Sequence, residues 1–141
     1  ILWVGSAAYS GWMGYKWEKK TEEFQLALSR PYREDTYGGK TPEETWAMFL
    51  DALKKGDVEL ASKYFVPEKQ VEWRRNLTDT INSGKIETAI NNIQYIVLET
   101  STAETANFIY KIKNKDSNSY YNNLVVFILN PYTKVWKISL L

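Results

Sequence analysis

An α+β fold is predicted by three observations. From Thr41 onward, two capped amphipathic helices and a third helical stretch precede segments of alternating apolar character that run to Leu141. Those C-terminal segments carry the period of two expected of strands. Ahead of them, Ile1 to Tyr15 contains no charged residue at all. The architecture expected is an N-terminal apolar helix, then a helical layer packed on a curved antiparallel sheet of four or more strands.

The first segment, ILWVGSAAYSGWMGY, is read as a helix. Fifteen residues of helix span about 22 Å, short of the roughly 30 Å hydrocarbon core of a bilayer. The expectation is therefore the C-terminal part of a membrane anchor, with the alternative of an assembly helix covered by another subunit. Trp12, Tyr15 and Trp17 stand where an interfacial aromatic belt would lie, next to Lys16, Lys19 and Lys20. Ala7 with Gly11, and Ser10 with Gly14, have the small-xxx-small spacing that permits close helix approach. From Lys16 to Ser29, Trp17, Phe24 and Leu28 fall at i, i+7 and i+11 on one stripe. Pro31 is expected to stop the helix. Residues 31–40 (PYREDTYGGK) read as a polar linker, giving three regions: helix 1–30, linker 31–40 and domain 41–141.

Thr41-Pro42-Glu43-Glu44 is a helix start, with Thr41 at the N-cap, proline at the first helical position and Glu44 completing a capping box. Trp46, Phe49, Leu50 and Leu53 place one apolar face on a helix over 42–55. Gly56 ends it, and Asp57 caps a second helix over 57–65. Val66-Pro67 breaks the chain, and a third helix is expected over 68–82, with a further short turn over 85–92.

Four strands are predicted, over 93–99, 105–113, 120–129 and 134–140. In the second, Ala106, Phe108, Tyr110 and Ile112 share a face. The third is apolar on both faces from Leu124 and belongs in the middle of the sheet. In the last, Trp136, Ile138 and Leu140 are expected to face the core and Lys137 to face out. The predicted core is Trp46, Phe49, Leu53, Phe108, Val126, Trp136 and Ile138.

Composition narrows the function. A 44% hydrophobic and 15% aromatic chain can build a core, so disorder is not indicated. The 18 basic and 17 acidic residues are interleaved, leaving a net charge of +1 and no basic block for nucleic acid. The chain has no Cys, which removes disulfides, thiol nucleophiles and thiolate metal sites, and no lipid attachment at an N-terminal cysteine is expected in it. It also has no His, the commonest metal ligand and the side chain most easily titrated near neutrality.

The stretch TPEETWAMFLDALKKGD (Thr41 to Asp57), a second helix ending in an aromatic before Pro67, and the closing VWKISLL resemble the nuclear transport factor 2-like family. This is a cystatin-like α+β cone, and the resemblance covers residues 41–141. It implies small, non-catalytic, membrane-anchored or secreted bacterial domains as the nearest kind. Isomerases of the same fold use an Asp base beside Tyr or Asp donors, and related dehydratases pair His with Asp. Neither pattern is present here. Glu99, Glu104 and Asp116 fall at strand ends or in a turn, where solvated carboxylates are expected. No catalytic residue, metal ligand or cofactor is therefore assigned.

Trp46, Trp73, Tyr95 and Tyr110, with Tyr120 and Tyr121, are the candidates for lining a small-ligand cavity between helices and sheet. They equally suit the filling of the wide end of a cone. Arg74-Arg75 reads as a solvated pair, and Asn76-Leu77-Thr78 is a glycosylation sequon set within a predicted helix. The functional expectation is a non-catalytic, membrane-tethered, extracytoplasmic domain acting in assembly or binding. Its partners would be membrane lipid or other protein subunits, met through residues 1–30. The alternatives are a subunit of a filament or complex that packs through its N-terminal helix, and a ligand-binding or isomerase-like domain.

Overall fold

The computed structural model describes residues 2–141, with side chains from Met13 onward. The chain divides after Glu34 into two compact units. The first is a single helix, α1 (Leu2–Arg33). The second holds helices α2 (Pro42–Lys54), α3 (Val58–Ser62), α4 (Gln70–Asn82) and α5 (Ile86–Ile93), and a 3-10 turn at Pro67–Lys69. Strands β1 (Val97–Ser101), β2 (Thr105–Lys113), β3 (Tyr120–Leu129) and β4 (Trp136–Leu140) follow. They form one antiparallel meander in the order β1-β2-β3-β4, packed against helices.

Helix α1 runs through Pro31, where a stop was expected. Proline removes one backbone donor from the helical ladder and crowds the preceding turn. Around it, Ser29 Oγ and Arg33 Nη2 both donate to the Leu26 carbonyl, at 3.1 and 2.9 Å, so side chains hold the last turn together. The helix carries charge through much of its length, at Lys16, Glu18, Lys19, Lys20, Glu22 and Glu23. Among the described residues no helix is long and apolar enough to cross a membrane. That corrects the expected transmembrane helix, and with it the membrane-anchored localisation. Each charge carried into hydrocarbon would cost several kcal/mol, roughly 2.5–3.5 at the centre.

The start of α2 follows the sequence signal with one difference. Thr41 Oγ1 accepts from the Glu44 amide at 3.1 Å, while the Glu44 carboxylate reaches one residue further back, accepting from the Lys40 amide at 2.8 Å. The reciprocal cap is thus spread over Lys40 and Thr41. Thr41→Ala is expected to lose about 1 kcal/mol of stability, because one helix-start amide returns to water. Thermal or urea melts of the two proteins provide the check, and an unchanged midpoint would contradict this role for the cap.

Gly38 and Gly39, read from sequence as the flexible end of a linker, are packed against the domain. Gly39 N–H donates to Thr45 Oγ1 at 2.9 Å, Gly39 O accepts from Trp136 N at 2.9 Å, and Thr45 Oγ1 donates to Trp136 O at 2.9 Å. A Cβ on Gly39 would stand 2.3 Å from Glu44 Cβ, and one on Gly38 2.4 Å from Trp136 O. The glycines are required by close approach to α2 and β4.

The core joins α2 to the middle of the sheet. Phe49, Phe65, Val125, Phe127 and Ile138 are fully buried, and Trp46, Leu53 and Phe108 nearly so. Phe127 meets Trp46 and Phe108 edge-on, with ring centroids 5.9 and 5.4 Å apart. Burying each such ring stabilises by roughly 1.5–3 kcal/mol. Val126 was expected inside, but Val125 and Phe127 are the buried pair. The register with β2, Phe108 opposite Val125 and Ala106 opposite Phe127, decides which parity of an apolar run faces the helices.

The first strand also begins later than expected. Ile86, Ile90 and Ile93 fall on one face of α5, so Ile93 ends a helix and pairing starts at Val97. Glu99 lies at an irregularity in β1, exposed. At the other end, Asn130 Oδ1 accepts from the amides of Tyr132 and Thr133, and Lys134 adopts φ 61°, so β4 starts at Trp136.

Lys137 departs furthest from the pattern. It was expected to face solvent, but it is 1% exposed. Its ammonium pairs with Asp35 Oδ2 at 2.9 Å and Oδ1 at 3.0 Å, and donates to the carbonyls of Tyr37 and Lys63. Asp35 Oδ1 also accepts from the Tyr37 amide at 3.1 Å. One buried cation thus ties residues 35–37 and the end of α3 to β4. Burial pulls the Lys137 pKa below the ordinary lysine value of 10.5, against the raising effect of Asp35. Beyond it, Val66 N donates to Ile138 O and Ile138 N to Tyr64 O, so residues 64–66 cover part of the outer edge of β4.

Candidate functional site

The ligand-lining candidates separate into two groups. Trp46 is a core residue, 3% exposed, with its Nε1–H donated to the Ile93 carbonyl at 3.2 Å. Trp73 is half-buried and stacks on Phe65, centroids 4.5 Å apart and 13° from parallel. Neither lines the surface pocket formed by Tyr95 and Tyr110. Helix α2 points Trp46 at β3, and α4 turns Trp73 onto Phe65, so both fill space between the layers.

Tyr95 and Tyr110 do come together. They line an open surface pocket of about 430 Å³ with Asn91, Asn92, Val97 and Lys111. The end of α5 supplies the two amides, the connection into β1 supplies Tyr95, and β2 supplies Tyr110 and Lys111. Tyr95 is 79% exposed. Burial, and then the nearby Tyr121, raise the Tyr110 pKa above its ordinary 10.0, so its hydroxyl stays protonated at neutral pH. The pocket combines apolar walls, two amides, two phenols and one cation. It can hold an apolar group next to an anion or a hydrogen-bonding backbone. Sequence reading missed Asn91, Asn92, Val97 and Lys111, because a pocket wall drawn from three elements leaves no spacing signal.

The second candidate surface is α1. Trp17, Phe24 and Leu28 are 64%, 62% and 55% exposed, and Tyr15 is 58% exposed. Lys19 and Lys20 lie over the rings of Tyr15 and Trp17, at 5.4 and 6.0 Å from their centroids. These aromatics, offered by the sequence as a membrane belt, sit under lysine ammonium groups on a charged helix. Gly14 has open space where a Cβ would be. Ala7, Ser10, Gly11 and Trp12 lie in the part of α1 where side chains are not described.

The remaining acids are solvated: Glu99, Glu104 and Asp116 are exposed. Among the described residues no group of three acidic side chains is placed to hold a metal ion. Comparisons with protein-family models, with curated proteins and with solved structures returned no match.

Proposed function

We propose that the chain is a non-catalytic assembly subunit of nuclear transport factor 2-like type, which self-associates through α1. The order of helices followed by a four-stranded meander supports the family reading. The single observation that carries assembly is the stripe on α1. Trp17, Thr21, Phe24 and Leu28 are separated by four, three and four residues, the spacing of a helix-to-helix seam. Its three large apolar members are each more than half exposed, and apolar side chains aligned in this way are normally covered.

A second copy suits this stripe. In a parallel, in-register pair the flanking positions set Lys20 opposite Gln25 of the second copy and Met13 opposite Glu18 of the second copy. No like charges meet across the seam.

Sedimentation equilibrium of the intact chain at micromolar concentration tests this reading. The wild-type chain should associate, and Phe24→Glu with Leu28→Glu should return it to a monomer with unchanged near-ultraviolet circular dichroism. A monomeric wild type, or a variant that associates equally, would overturn it.

A further inference from the structure

The meander leaves part of β2 without a neighbour. Pairing between β1 and β2 ends at Val97 opposite Ile109, while β2 continues to Lys113 and pairs with β3 throughout. Tyr110 to Lys113 are therefore bonded on one side only. In an antiparallel ladder every second residue turns both its N–H and its C=O to the same side, so this stretch presents unpaired backbone groups along an open edge.

Two further observations coincide with that edge. The 430 Å³ pocket at Asn91, Asn92, Tyr95 and Val97 adjoins it, reaching Tyr110 and Lys111. The edge is also basic: β2 carries Lys111 and Lys113, both exposed, with no acidic residue from Thr105 to Asn114, and the turn beyond adds Lys115 and Asp116, which offset each other. Lys111 and Lys113 share a face of the strand with Ile109, because alternate residues point the same way. By contrast, the opposite free edge, at the start of β3, has no charge and no adjoining pocket among those described.

We infer that the free edge of β2 at Tyr110–Lys113 is a docking site for an extended acidic segment of a partner protein, which adds as a strand and seats an apolar side chain in the adjoining pocket. Main-chain hydrogen bonds would supply the register, and the pocket the selectivity, as in strand addition generally. Charge selects the occupant. Acidic side chains at alternate positions of the added strand fall on the face of Lys111 and Lys113. An apolar residue in the place beside Lys111 falls toward Tyr95 and Val97, because Val97 already takes the place beside Ile109. The site is separate from the α1 stripe and does not depend on self-association.

The test is a nuclear magnetic resonance titration of the labelled chain with two blocked peptides, acetyl-Leu-Thr-Glu-Thr-Glu-amide and acetyl-Glu-Thr-Glu-Thr-Leu-amide, which sample both strand directions. Saturable amide shifts at residues 110–113 and 91–97 are expected for at least one of them. Lys111→Glu with Lys113→Glu, both at exposed positions, should weaken that binding about tenfold. N-methylation of alternate peptide amides should abolish it. Absence of saturable shifts, or equal binding by the N-methylated peptide, would overturn the inference. So would 4-hydroxyphenylacetate reproducing the pocket shifts where neither peptide does, since the cleft would then be a small-molecule site.

Discussion

Lys137→Met is expected to destabilise the 35–141 unit by about 3–5 kcal/mol near neutral pH, because it leaves the Asp35 carboxylate buried without its cation. The side chains of the pair are 1% and 5% exposed, so solvent does little to soften the loss. The Tyr37 and Lys63 carbonyls lose their donor at the same time. Adding Asp35→Leu should recover part of the stability, so the double variant should lose less than the sum of the two single variants. Urea unfolding of the four proteins gives the coupling directly. Additive losses would show that the two groups do not act as a pair.

The same lysine sets a direction with pH. Its folded pKa lies below the unfolded 10.5, so between those two values the unfolded chain binds more protons than the native one. Stability from this group therefore rises with pH through that window. Tyr64 and Tyr110 act oppositely. Burial raises both above 10.0, so the native state keeps protons the unfolded state has lost, and stability falls as pH climbs past that value. Subtracting the Lys137→Met curve from the wild-type curve cancels the tyrosines. The difference should rise towards pH 10.5, and a flat or falling difference would contradict a lowered Lys137 pKa.

Phe127→Ala should be comparably severe, at about 3–5 kcal/mol, through loss of apolar burial and the cavity left behind. Phe127 is fully buried and touches Trp46 of α2 and Phe108 of β2 edge-on, so its ring fastens the helical layer to the middle of the sheet. Trp136→Ala should cost less, since Trp136 is only half-buried. A midpoint shift with unchanged denaturant slope would mark a pure loss of packing. If Phe127→Ala lost less than about 1 kcal/mol, the site would have collapsed around the gap and the core would be more plastic than its ring geometry suggests.

Much of the architecture was legible from local chemistry. Thr41, Pro42, Gly56 and Asp57 punctuate α2 and α3 because caps and left-handed stops depend on residues only a few positions apart. Strands β2 and β3 appear where the alternation and apolar runs place them. The exposed stripe of Trp17, Phe24 and Leu28 was likewise visible, since helical spacing alone aligns it.

Other features depend on partners distant in the chain. Lys137 sits between Trp136 and Ile138, where strand alternation sends it to solvent, yet Asp35 lies 102 residues away and waits for it in the interior. Val125 displaces Val126 from the core because the register with β2 is chosen by whole-strand packing. The glycines at 38 and 39 look like slack in the sequence. Only the approach of β4 and α2 shows that there is no room for a Cβ. The pocket at Tyr95 and Tyr110 and the open edge of β2 are likewise tertiary facts. By itself the sequence determined where α2, β2 and β3 begin, what charge the elements carry and which stripe of α1 is apolar. The tertiary structure alone decided which cation is buried, which face of β3 is inside and where β2 is left unpaired. The physical reason is that burial, ion pairing and strand pairing are fixed by contacts between segments far apart in the chain, which no local pattern records.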